Sequence, residues 1–80
     1  MHVGVPREIK PDEYRVGLTP TAVREYVSHG HQVLVETGAG AGAGYPDEAY
    51  TRAGARIAAD ADAVFSGSEL IVKVKEPQPV

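Results

Sequence analysis

Short runs of β-branched residues alternate with short helical runs along this chain, and nearly every change is marked by Gly or Pro. Strands alternating with helices over connections this short require parallel β-α-β crossovers. Met1 to Val5 reads as the first strand and stops at Pro6. Thr19-Pro20 opens a helix: Thr is a favoured N-cap, and Pro fits the first helical position because it has no N–H to leave unpaired. Ala22, Val23, Tyr26 and Val27 share a face at helical spacing, and Gly30 supplies the left-handed residue that ends the run. Val33 to Val35 is the second strand. Pro46-Asp47-Glu48 starts a shorter helix, with acids at the positive end of its dipole, and Ala49, Tyr50 and Ala53 mark its buried side. Gly54 ends it. Arg56 to Ala58 is a weak third strand, Asp60 caps a third helix carrying Ala61, Val64 and Phe65, and Leu70 to Val74 is the last strand. The expected fold is α/β: an open, twisted parallel sheet of β-α-β units, Rossmann-like or flavodoxin-like, with helices on its faces.

Composition narrows the chemistry. The 80 residues include no Cys, which excludes disulfides, thiolate metal sites and a cysteine nucleophile. His2, His29 and His31 show no metal-ligand spacing with acidic residues, so no metal is expected. A net charge of −3 gives no basic field for nucleic acid or an anionic membrane. No apolar run approaches the ~20 residues of a membrane span, and the N-terminus lacks a signal-peptide core. The expected setting is the cytoplasm. A domain this short buries only about 60 % of its unfolded surface, and the pattern reads as the start of a larger domain.

In open parallel sheets, ligands bind outside the carboxyl ends of the strands. Two charged regions lie at such ends. The first strand feeds a thirteen-residue stretch, Pro6 to Leu18, holding Arg7, Glu8, Lys10 and Arg15. The last strand carries Lys73 and Lys75 on one face and Val72 and Val74 on the other. Arg offers a planar fork for a carboxylate, and Lys a mobile point charge. Together they could orient a small anionic acid. The plainer alternative is solvated charge pairing with Glu8, Asp12, Glu13 or Glu76.

Gly38-Ala39-Gly40-Ala41-Gly42-Ala43 matches the G-x-G-x-x-[G/A] dinucleotide fingerprint, with Asp60 and Asp62 at about the customary ~20-residue distance. Physical detail counts against it. The fingerprint needs its helix to begin inside the motif, whereas Gly42, Gly44 and Pro46 prolong the loop. A compact turn in which backbone packs on backbone is the expectation.

Three blocks carry a wider resemblance: Val3-Gly4-Val5-Pro6-Arg7-Glu8, Arg15-Val16-Gly17-Leu18-Thr19-Pro20, and Gly30-His31-Gln32-Val33-Leu34-Val35-Glu36. With Gly38 to Tyr45, Ala53-Gly54-Ala55 and Val72-Lys73-Val74-Lys75-Glu76-Pro77, they resemble the N-terminal region of the alanine dehydrogenase and pyridine nucleotide transhydrogenase family. The likeness extends over essentially the whole chain. It implies that residues 1–80 are the first part of the N-terminal, substrate-binding domain, with Arg15 on the substrate carboxylate and Lys75 on its carbonyl side. Lys75 is then also the catalytic residue. The substrate would be L-alanine or pyruvate, and NAD would bind a separate domain outside this segment. The family's catalytic His and Asp would also lie beyond Val80, leaving the segment inactive alone. Family members are usually homo-hexamers. The Lys-Val-Lys-Glu-Pro block looks like alanine dehydrogenase, since transhydrogenase α chains tend to differ where Lys75 stands. A transhydrogenase α-chain segment and a non-catalytic α/β interaction module are the alternatives. Pro46 departs from the family's pattern, standing where a capping Ser is common.

Overall fold

In a computed structural model of the chain, residues 1–7 and 16–72 are described. The elements follow the expected order: β1 (His2–Val5), α1 (Pro20–Ser28), β2 (Gln32–Glu36), a 3-10 turn (Ala41–Ala43), α2 (Asp47–Arg52), β3 (Arg56–Ala58), α3 (Ala61–Ser66) and β4 (Leu70–Ile71). All pairings are parallel, and the strands lie in the order β3-β2-β1-β4. The chain therefore builds outward from β1 to β3, then crosses back to lay β4 on the other side of β1.

Local chemistry accounts for the element ends. The Thr19 hydroxyl accepts the Ala22 amide at 3.2 Å, and Asp60 Oδ1 accepts the Ala63 amide at 2.9 Å. Gly30 follows α1 with φ +88°, a conformation that any Cβ would oppose. The helix that follows Pro46 has no side-chain cap from that residue, so its first turn depends on Asp47 and Glu48 at the dipole's positive end.

Alternation along the strands separates two faces. Register pairs Val3 with Val33 and Val5 with Val35, and these four valines are buried together with Val23, Leu18, Tyr50, Ala53 and Ala55 under α1 and α2. The two helices meet where Gly54, at φ +106°, turns beside Val27. Gly4 and Leu34, paired in register, point the other way. A Cβ on Gly4 would stand 2.2 Å from Ser68 Oγ and 2.8 Å from Val64 Cγ1, so the absent side chain is what lets α3 lie against the sheet. This second face has thinner cover. Val64 is fully buried, but Phe65, one residue and about 100° further round the helix, is 52 % exposed.

The last strand is described as far as Val72, whose amide still donates to the Gly4 carbonyl at 2.8 Å. The expected continuation to Val74 lies outside the described residues.

Candidate functional site

Strand order locates a crevice. Between β1 and β4 the winding direction reverses, and ligands of open α/β sheets settle outside the carboxyl ends at such a reversal. Three stretches meet this rim. Pro6 and Arg7 follow β1, and Val72 follows β4. Val16–Thr19 is the third, because a crossover helix runs antiparallel to its strands and so begins at their carboxyl ends. Val16 and Val72 both pack against the valine core.

Arg15 directly precedes Val16, and Lys75 follows Val72 by three residues. Both lie outside the described residues, as do Glu8, Lys10, Asp12, Glu13, Lys73 and Glu76. The structure thus brings the chain on either side of the crevice to one rim at Val16 and Val72, and the two side chains themselves are not part of that description.

Arg7 follows β1, and its contacts lie on the β2 side of that strand. Its amide donates to Glu36 Oε1 at 2.8 Å, and its side chain passes over Gly38, with Cδ 3.8 Å from where a glycine Cβ would be. Behind it a carboxylate closes the loop after β2. Asp47 Oδ2 accepts the Thr37 hydroxyl at 2.6 Å, and Oδ1 accepts the Gly38 amide at 2.9 Å. Those two donors, Thr37 first, hold the Asp47 carboxyl below its ordinary range, and partial burial opposes them weakly.

The glycine run folds in on itself. Gly38 donates to Asp47, Ala39 to the Glu36 carbonyl, Ala41 to Gly38, Ala43 to Gly40, Gly44 to Ala41 and Tyr45 to Gly40. Four of the six motif amides, Gly38, Ala39, Ala41 and Ala43, are thus committed within the loop, which leaves little of a pyrophosphate cradle. Gly40 has a packing reason as well: a Cβ there would fall 2.6 Å from the Tyr50 ring and hydroxyl and 2.9 Å from Tyr45 Cβ. The two tyrosine rings meet edge to face at 6.4 Å.

Tyr50 is the residue that sequence reasoning undervalued. Its ring belongs to the expected buried face of α2, but its hydroxyl reaches the Leu18 carbonyl at 2.8 Å, 32 residues away in the chain. Burial pushes this phenol up to about 12, with Tyr45 and Asp47 adding to the shift. No local signal announces such a bond. Asp47 was visible as a first-turn acid, but its grip on Thr37 and Gly38 depends on the glycine loop closing.

Among the described residues no group of three or more His, Cys, Asp or Glu could hold a metal ion, and no helix is long and apolar enough to cross a membrane.

Residues 4–80 match the family described as "Alanine dehydrogenase/PNT, N-terminal domain". The alanine dehydrogenase of Bacillus subtilis is 56 % identical over 79 residues, covering 99 % of this chain and 21 % of its own length. That of Halomonas elongata is 53 % identical over 78 residues, again covering 21 % of its length. An L-alanine dehydrogenase structure superposes with a TM-score of 0.91 at 52 % identity, over 99 % of this chain and 22 % of that one. A transhydrogenase from Sinorhizobium meliloti gives 0.84 at 38 % identity, over 98 % of this chain and 23 % of that one. The chain spans about a fifth of the length of these relatives.

Proposed function

Because this chain belongs to the family of alanine dehydrogenase and transhydrogenase N-terminal domains, we propose that it is the N-terminal segment of an NAD-dependent L-alanine dehydrogenase. The whole enzyme interconverts L-alanine, NAD+ and water with pyruvate, ammonia and NADH, and this segment opens its substrate-binding domain. The observation that carries the reading is the crevice between β1 and β4, flanked by the chain leading from Arg15 and the chain leading to Lys75.

Arg15 clamps the substrate carboxylate through its planar fork, which sets orientation as well as charge. Lys75 holds the carbonyl side. In the aminating direction ammonia adds to the pyruvate carbonyl, and the ammonium of Lys75 stabilises the negative charge that gathers on its oxygen. NAD, when bound, takes up the hydride released from alanine. Most glycine-run amides are taken up within the loop, which supports a reading in which the cofactor is held by residues outside this segment. A homo-hexamer in the cytoplasm completes the reading.

The transhydrogenase α chain is the second reading, supported by the Sinorhizobium meliloti structure. Higher identity to alanine dehydrogenases and the Lys-Val-Lys-Glu-Pro block favour the first.

The test is kinetic, in an active full-length enzyme carrying this segment. Arg15→Ala raises KM for pyruvate strongly and leaves KM for NADH unchanged, while Lys75→Ala collapses kcat. Near-normal turnover of the lysine variant removes Lys75 from the mechanism, and equal damage to both KM values assigns Arg15 a folding role.

A further inference from the structure

The third strand starts late. Its first residue, Arg56, pairs with Leu34, so Gln32 and Val33 of β2 run past the start of β3 at the amino end of the sheet. The notch beside them is a cavity of about 470 Å³, a size suited to a small molecule. It lies at the opposite end of the strands from the crevice between β1 and β4.

Parallel neighbours share a face, and the register puts His2, Gln32 and Arg56 on the face of Gly4 and Leu34. On this face α3 ends over Leu34, whose Cδ2 stands 3.3 Å from where a Cβ on the C-cap Gly67 would be. Past that contact the notch is lined by His2, Gln32 and Arg56, with apolar wall from Leu34 on the α3 side and Val27 on the α1 side. Charge is distributed unevenly here. Arg52, in the last turn of α2, pairs with Glu48 at 3.6 Å, whereas Arg56 has no carboxylate partner among the described residues. Glu69, just ahead of β4, is engaged by the His2 amide at 2.9 Å.

We propose that this notch binds a small organic carboxylate, its charged end on the Arg56 fork beside Gln32 and its apolar body between Val27 and Leu34. An unpaired guanidinium presents two parallel donors to a single carboxylate. The carbonyl ends of α1, α2 and α3 gather at the same end of the sheet, because each crossover helix runs antiparallel to its strands. Their partial negative charge opposes a bare inorganic anion. The ligand therefore needs an apolar body against the walls as well as a charge for Arg56. Neither Arg15 nor Lys75 takes part.

Calorimetric titration of isovalerate into an active full-length enzyme carrying this segment tests the site. Expected is saturable binding that Arg56→Gln weakens by about tenfold or more, the range of a charged hydrogen-bonded contact. Arg56→Lys keeps the charge without the fork and weakens it less. Arg56 is exposed, so the melting temperature and kcat of both variants should match the parent. Isovaleramide, with the body and no charge, and inorganic phosphate, with charge and no body, should each bind about tenfold more weakly than isovalerate or worse. Absence of saturable binding, or phosphate binding as tightly as isovalerate, overturns the proposal. Binding that survives Arg56→Gln and disappears with Arg15→Ala also overturns it, because the carboxylate is then held at the crevice.

Discussion

Thr37 and Asp47 close the loop after β2: the threonine hydroxyl donates to Asp47 Oδ2 at 2.6 Å while the neighbouring Gly38 amide takes Oδ1. One carboxylate thereby joins the end of a strand to the start of the next helix. Both bonds favour its ionised form and lower its pKa from the ordinary 3.8. A group depressed in the folded state contributes stability above its unfolded pKa, and that contribution is lost as pH falls through the folded one. Carbon-detected titration of the Asp47 carboxyl should therefore show a midpoint below 3.8, and Thr37→Val should move it upward. A midpoint unchanged by that substitution would deny the threonine its part.

The glycine loop makes a different demand. Gly40→Ala forces a methyl into the Tyr50 ring and should lower stability by about 1–3 kcal/mol, the usual cost of overpacking. Because most of the loop's amides serve the loop, KM for NADH in the full-length enzyme should be unaffected. A selective loss of NADH affinity would restore the dinucleotide reading of this motif.

Gly4 and Ser68 form a lock-and-relief pair across the second face. Gly4→Ala should destabilise strongly, since its methyl meets Ser68 Oγ at 2.2 Å and Ser68 Cβ at 2.8 Å. Adding Ser68→Gly removes both atoms and should recover part of the loss, leaving the Val64 contact. Denaturation midpoints of the single and double variants decide it, and strict additivity would refute the contact.

Adjacent positions on α3 should behave oppositely. Val64→Ala removes fully buried methyl groups and should cost about 1–3 kcal/mol, whereas Phe65→Ala, at a residue 52 % exposed, should stay within about 0.5 kcal/mol. Comparable losses at both positions would mean that Phe65 is covered in the assembled protein.

The β-α alternation, the caps at Thr19 and Asp60 and the glycine stop at Gly30 were all legible in the sequence. Each is decided by residues within a turn of one another, so spacing and residue type suffice. Arg15 and Lys75 enter as proposed site residues through ordered sequence blocks alone, and both lie outside the described residues. Strand order was not legible. Whether β4 joins beside β3 or crosses to β1 depends on which face the third crossover packs, and Gly4 admits α3 there only once the sheet exists. That choice creates the crevice between β1 and β4. The Tyr50–Leu18 bond likewise joins residues whose nearness is a product of packing. Short-range preferences wrote the elements of this protein, and long-range burial selected which strand ends would face one another.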